Sequence, residues 1–122
     1  MSDPTPLQGR SVLVVDDDFF LAMDACSTLQ EAAATIIGPF GRATDALNSL
    51  KNQRPDLAIV DLNLGSGPNF ELARTLADAG IPTVIMTGYD KDVIPPDLTH
   101  LPCLQKPLDM GQLISTCENL LQ

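Results

Sequence analysis

Short apolar runs rich in β-branched residues alternate along this chain with stretches whose apolar residues recur every three to four positions. Alternation of that kind restricts the fold more than any other feature, because strands separated by helical stretches must cross over and pair in parallel. The first run is Ser11-Val12-Leu13-Val14-Val15, followed by Asp16-Asp17-Asp18. The stretch after it spaces Leu21, Ala25, Leu29 and Ala32 to face a core, and acids at its start suit a helix dipole. Thr35-Ile36-Ile37-Gly38 is a second strand, and Pro39 beside it suits a sheet edge, where a missing N–H costs nothing. Residues 43–52 form a short helix with Ala43, Ala46, Leu47 and Leu50 inward. Leu57-Ala58-Ile59-Val60 is a strand buried on both faces; it ends in Asp61 and the turn Gly65-Ser66-Gly67-Pro68. A third helix covers residues 70–79, with Phe70, Ala73 and Leu76 or Ala77 on one side and Gly80 as its stop.

Pro82-Thr83-Val84-Ile85-Met86 is the fourth strand, ending at Thr87-Gly88. Residues 89–94 hold at most about a turn and a half of helix before Pro95-Pro96, so the fourth helix is short or absent. Residues 101–105 make a weaker fifth strand leading into Lys106-Pro107. Asp109 caps a last helix with Leu113, Cys117, Leu120 and Leu121 inward. The expectation is an α/β fold: a five-stranded parallel sheet, doubly wound, with helices on both faces. Residues 1–10 read as a flexible leader and residues 11–122 as one domain.

The net charge of −9 argues against nucleic acid or an anionic membrane as a partner of this chain, and is compatible with a carboxylate cluster that needs a cation. Only 4% of the residues are aromatic, so Leu, Ile, Val, Ala and Met must build the core. Cys26, Cys103 and Cys117 show no metal-ligand spacing and read as small apolar groups, reduced in a cytoplasmic protein. The apolar runs are too short to span a bilayer.

In a parallel sheet the carboxyl ends of all strands share one edge. That edge would gather Asp16, Asp17 and Asp18, then Asp61, Thr87 and Lys106. Several carboxylates at one point repel unless a cation sits among them, and Mg²⁺ prefers such hard oxygens. A carboxylate can be a covalent nucleophile for phosphorus, while lysine and a threonine hydroxyl can bind phosphoryl oxygens. Asp18 fits a helix N-terminal acid better than a ligand.

The fragments Val12-Leu13-Val14-Val15-Asp16-Asp17-Asp18, Val60-Asp61-Leu62-Asn63, Met86-Thr87-Gly88 and Gln105-Lys106-Pro107 resemble the receiver domain of two-component response regulators. The resemblance runs over residues 11–122 and implies a flavodoxin-like (βα)5 fold with strand order 2-1-3-4-5. It implies that Asp61 accepts a phosphoryl group from a histidine kinase or histidine phosphotransfer protein. Mg²⁺, with Mn²⁺ able to substitute, is held by Asp17 directly, by Asp16 through water, by Asp61 and by the main-chain carbonyl of Asn63. Thr87 is the switch residue, and Lys106 pairs with the phosphorylated site, before a cis peptide to Pro107. On this reading the chain is a cytoplasmic, single-domain switch or phosphate shuttle, not a turnover enzyme, and its downstream partner is a protein. The Thr87-Gly88-Tyr89 text resembles a branch of stand-alone receivers.

Receivers usually carry a Tyr or Phe three residues before the lysine; Cys103 stands there instead. Tyr89 is the candidate replacement for that moving aromatic. Asn63 and Tyr89 also lie where the family borders the path of the hydrolytic water. Phe19 and Phe20 either bury in the core or, for one of them, stay exposed to dock a kinase. Two alternatives stand beside the switch. One is a phosphatase resembling the haloacid dehalogenases with Asp16 as nucleophile, although Phe19 departs from its motif and Asp61 would have no role. The other is a degenerate receiver used only for binding.

Overall fold

The strand β3, Leu57–Asp61, is buried at every residue and sits at the centre of the molecule. A computed structural model of the chain describes residues 7–62, 70–88 and 94–121. On one side β3 pairs in parallel with β1 (Ser11–Val15), and on the other with β4 (Thr83–Thr87). β2 (Thr35–Phe40) and β5 (Cys103–Gln105) close the edges, giving the order β2-β1-β3-β4-β5. All pairings are parallel, and the order and direction match the expectation.

Among the described residues there are four α-helices: α1 (Phe19–Glu31), α2 (Ala43–Ser49), α3 (Glu71–Asp78) and α4 (Met110–Leu120). They divide between the two faces of the sheet, as the residues under them show. Val12, Val14, Leu57, Ile59, Val84 and Met86 pack with Ala25, Cys26 and Leu29 of α1 and Leu113 and Cys117 of α4. The alternate residues Leu13, Val15, Ala58 and Val60 pack with Ala46 of α2 and Leu72 and Leu76 of α3. Strand side chains alternate between faces, so one run of β-branched residues serves both layers. A third cluster joins Leu62, Ala73 and Ile85 to Ile94 and Leu98, and these last two anchor the segment between β4 and β5. That segment carries a single 3₁₀ turn, Pro96–Leu98. Pro96 opens this turn, where its fixed φ is an advantage. Residues 89–93, on which the short fourth helix was expected, lie outside the described residues.

Two helices are shorter than the apolar spacing suggests. α2 stops at Ser49, whose hydroxyl donates to the Ala46 carbonyl at 2.6 Å, and residues beyond it fold into turns. α3 starts after Phe70 and ends at Asp78, with Gly80 at φ +76° behind it. Asp18 and Asp109 are N-caps as expected, accepting from the amides of Leu21 and Gln112 at 3.1 Å each.

β2 runs two residues further than Gly38 and contains Pro39. The register against β1 slips by one residue between Leu13 and Val15, so an extra residue of β2 bulges at Gly38-Pro39. Gly38 has φ +107°, and a Cβ there would sit 2.9 Å from the Phe40 nitrogen. Only glycine fits. Asp16 N donates to the Phe40 carbonyl at 2.9 Å, so the bulge also fixes the first residue of the acidic turn.

Residues 7–10, the described part of the expected leader, are not loose. Leu7 is fully buried in the α1–α4 layer, and its amide donates to the Ala32 carbonyl at 2.9 Å. Among the described residues, no helix is long and apolar enough to cross a membrane.

Candidate functional site

Among the described residues, four polar or charged ones are buried: Asp16, Asp61, Thr83 and Thr87. Burying such groups is costly without partners, so each needs an account. Thr83 has a local one, because its hydroxyl donates to the Ile81 carbonyl at 2.9 Å. The other three stand at the carboxyl ends of β1, β3 and β4, and Lys106 follows β5. The convergence expected from a parallel sheet is therefore observed.

Strand register sets the pocket. Asp61 pairs with Met86 and Thr87 with Gln105, while Lys106 N donates to the Thr87 carbonyl at 2.8 Å. Lys106 then reaches back over the sheet edge. Its Nζ lies 2.8 Å from Asp61 Oδ2 and 3.7 Å from Asp16 Oδ2. Carboxylate oxygens of Asp16, Asp17 and Asp61 lie within 4.8 Å of one another. Asp16 and Asp61 are buried and Asp17 is exposed. The Lys106-Pro107 peptide is cis.

Asp16 holds the acidic turn in shape. Its Oδ1 accepts from the Asp18 amide at 2.9 Å, and Asp18 in turn caps α1. Its Oδ2 is buried and accepts no hydrogen bond among the described residues. Burial, with the Asp61 carboxylate adding to it, pushes the Asp16 carboxyl up from 3.8 to about 6, against the opposing pull of the Asp18 amide and Lys106. For Lys106, burial alone would lower the ammonium, but the bond to Asp61 and the charges of Asp16, Asp61 and Asp17 outweigh it and raise it. The pocket therefore holds more negative charge than one lysine neutralises.

A hard divalent cation suits this donor set. Three carboxylates converge, and a buried oxygen faces the pocket without a hydrogen bond. The chemistry open to such a site is cation binding and the neutralisation of an anionic group beside Lys106.

Of the residues singled out in the sequence, the structure brings together Asp16, Asp17, Asp61, Thr87 and Lys106. Asn63 and Tyr89 lie outside the described residues. Cys103 is half-buried at the start of β5 and lines a cavity of about 270 Å³ with Ile94, Thr99, Leu101 and Pro102. Cys26 and Cys117 are buried in the core, as small apolar residues should be; burial raises both thiols, that of Cys117 to about 12. Phe19 and Phe20 are both exposed, at 67% and 80%, so neither enters the core. The buried positions of α1 are Ala22, Ala25, Cys26 and Leu29, which leaves the two rings outside.

The fold is a doubly wound parallel α/β sheet that gathers three acids and a lysine at its carboxyl edge. The family model of the response regulator receiver domain matches residues 12–118, and the chain belongs to that family. The sensory transduction protein LytT of Bacillus cereus is 34% identical over 110 residues, which are 86% of this chain and 44% of that protein. The transcriptional regulatory protein PdtaR of Mycobacterium tuberculosis is 27% identical over 113 residues, 89% of this chain and 55% of that protein. The chain thus spans about half the length of the curated relatives it matches. Among solved structures, SdrG of Pseudomonas melonis Fr1, in a BeF3-activated conformation, is 30% identical with a TM-score of 0.78, and the two cover each other fully. A CheY-like receiver from Methanospirillum hungatei superposes with a TM-score of 0.81 at 21% identity, covering 94% of each chain, which bears on the fold alone. The family match sets aside the haloacid-dehalogenase alternative.

Proposed function

We propose that this receiver is a phosphoryl-accepting switch with Asp61 as acceptor. The observation that carries the reading is the 2.8 Å contact between Lys106 Nζ and Asp61 Oδ2 in a pocket walled by two further acids. In the transfer, an Asp61 carboxylate oxygen attacks phosphorus, the P–N bond of a phosphohistidine breaks, and the imidazole leaves and takes up a proton. Lys106 is tethered at the acceptor and pairs with a phosphoryl oxygen as charge builds there. Thr87, buried at the next strand end, turns its hydroxyl to the phosphoryl group and so reports its arrival to the segment beyond β4. Asp17 directly, Asp16 through water, Asp61 and the carbonyl of Asn63 would hold Mg²⁺, which would supply charge neutralisation for acids and phosphoryl together. SdrG supports the reading as a relative that adopts a BeF3-activated conformation, BeF3 being a stand-in for a phosphoryl group on a carboxylate.

The donor is a histidine kinase or phosphotransfer protein, and the output is a protein contact, in keeping with the charge of −9. Tyr89 takes the role of the moving aromatic, because Cys103 cannot swing a ring; a Tyr89 environment unchanged between free and activated forms would remove that assignment.

The test is incubation with phosphoramidate and Mg²⁺, followed by intact-mass measurement and borohydride trapping. The expected result is a gain of one phosphoryl group, trapped at Asp61 and absent from Asp61→Ala. No gain would leave the degenerate receiver, and a gain that survives that substitution would refute Asp61 as the acceptor.

A further inference from the structure

β2 departs from a regular ladder at the place where it meets the acidic turn. Ser11 to Leu13 pair one for one with Thr35 to Ile37, but Val15 pairs with Phe40. In a regular ladder Pro39 would stand opposite Val15, and its carbonyl would meet the Asp16 amide. The extra residue brings Phe40 there instead, and the Asp16 amide donates to the Phe40 carbonyl at 2.9 Å. Gly38 permits this at φ +107°. A Cβ on it would lie 2.9 Å from the Phe40 nitrogen and 3.0 Å from the Val14 carbonyl oxygen, backbone atoms that cannot turn aside. Further along, the chain passes Asp17, where a Cβ on Gly41 would meet Asp17 Cα at 3.9 Å. β2 thus ends against both neighbouring acids of the pocket. A conformation open only to glycine is costly on an edge strand, and bulges gather next to functional sites, where they re-aim a side chain. The residue aimed here is Asp16. Its amide is held by Phe40 and its Oδ1 by the Asp18 amide, which leaves Oδ2 buried, 3.7 Å from Lys106 Nζ.

We infer that Gly38 is a positioning residue for the cation site: its bulge sets where the Asp16 carboxylate stands, and so how tightly the pocket holds Mg²⁺. The inference rests on the cation reading of Asp16, Asp17 and Asp61. Gly38 acts through the Phe40 carbonyl and the Asp16 amide, not by contact with the ion. A Cβ at position 38 must displace Phe40 or the Val14 carbonyl, and either movement reaches Asp16 through the ladder. Metal affinity is sensitive to such displacements, because groups that orient a ligand carry much of the fit. The pocket's other members do not depend on this contact. Asp61 and Lys106 come from β3 and the end of β5, on the far side of β1 from β2. A change at Gly38 therefore acts on the ion's side of the pocket and spares the acceptor and its lysine.

The experiment compares the parent with Gly38→Ala. Mg²⁺ binding is measured by calorimetry, and phosphorylation by phosphoramidate is followed across a Mg²⁺ series. The expected result is Mg²⁺ binding weaker by about tenfold. The Mg²⁺ concentration that half-saturates phosphorylation should rise by the same factor, with the parent's rate recovered at saturating Mg²⁺. Two controls accompany it. Leu76→Ala destabilises the same core layer from α3, and Gly41→Ala adds a methyl in ordinary contact with Asp17; both should bind Mg²⁺ as the parent does. Should Gly38→Ala fail to fold, Phe40→Ala decides. It keeps the carbonyl but removes the ring that packs Phe40 against the core, so weaker Mg²⁺ binding supports the inference and unchanged binding overturns it. Parent-like binding by Gly38→Ala overturns the inference, as does an equal loss in either control. A rate that saturating Mg²⁺ does not recover means that the bulge serves the acceptor rather than the ion, and overturns it too. A parent that takes up no Mg²⁺ overturns the cation reading, and the inference with it, a failure visible in the parent before any variant is compared.

Discussion

Asp16→Asn isolates the electrostatic cost of the acidic pocket. The native carboxyl is 3% exposed and shifted from 3.8 to about 6, chiefly by burial. A carboxyl whose folded pKa is raised prefers to be protonated in the fold, so its ionisation opposes folding. The penalty is complete above about pH 6, shrinks as pH falls through that value, and is gone below the unfolded 3.8. A shift of about two units corresponds to on the order of 3 kcal/mol at neutral pH. Asparagine keeps an oxygen to accept from the Asp18 amide, at 2.9 Å in the native turn, and carries no charge. It forgoes some attraction to Lys106, whose Nζ is 3.7 Å from Asp16 Oδ2, which offsets part of the gain. The variant should therefore be more stable than the parent by about 1–3 kcal/mol in chelator at neutral pH, a rise of several degrees in Tm. Between about pH 7.5 and 5 the Asp16 contribution in the parent should recover by about 1.4 kcal/mol, a recovery the variant lacks. Urea denaturation of both proteins at the two pH values measures this. Adding Mg²⁺ should stabilise the parent and have much less effect on the variant, because the buried oxygen that would meet the ion is gone. A variant less stable than the parent in chelator, or one with the parent's pH response, would refute the reasoning.

Lys106→Met leaves Asp61 buried beside two acids without its 2.8 Å partner, and should cost about 1–3 kcal/mol in chelator at neutral pH, partly restored by Mg²⁺. Because the folded lysine is raised above its usual 10.5, the stability it lends is complete at neutral pH and is lost as pH climbs through the folded value; an alkaline urea series that shows the parent losing no more than the variant would contradict it. Ile59→Ala, at a fully buried position on the central strand, should cost about 2–5 kcal/mol by calorimetry or denaturation. Native-state alkylation read by mass spectrometry should modify Cys103 and spare Cys26 and Cys117 until the protein unfolds, because burial raises both protected thiols; rapid native labelling of Cys117 would count against the packing.

Local chemistry explains which parts of the site were legible in the sequence. A β-branched run that ends in acids, and another that ends in Asp61, reads as two strands with carboxylates at their ends. Parallel pairing then obliges those ends to meet, so Asp16, Asp17, Asp61, Thr87 and Lys106 were all identifiable before any coordinates. The caps at Asp18 and Asp109 were legible for the same reason, as each depends on neighbours three residues away. Spacing overstated α2, where the Ser49 hydroxyl turns back onto the helix carbonyls. It also mistook Leu7 for part of a loose leader, because the pocket that buries Leu7 is assembled from α1 and α4, far apart in the chain.

The sequence by itself determined the class of fold, the edge where chemistry collects and the residue types gathered there, since these follow from periodicity and from the direction that crossovers impose. Tertiary structure alone decided which acid bears the burial and which stays in water. Asp16 and Asp17 are adjacent and chemically identical, yet one is 3% exposed and the other lies open. A bulge on the neighbouring strand at Gly38 anchors the Asp16 amide, and Lys106 arrives from the far end of the chain. Tertiary structure also turned Phe19 and Phe20 outward together, because α1 presents Ala25, Cys26 and Leu29 to the sheet. Burial and ionisation depend on the dielectric and charges that distant segments bring to a point, and those are properties of the packed chain.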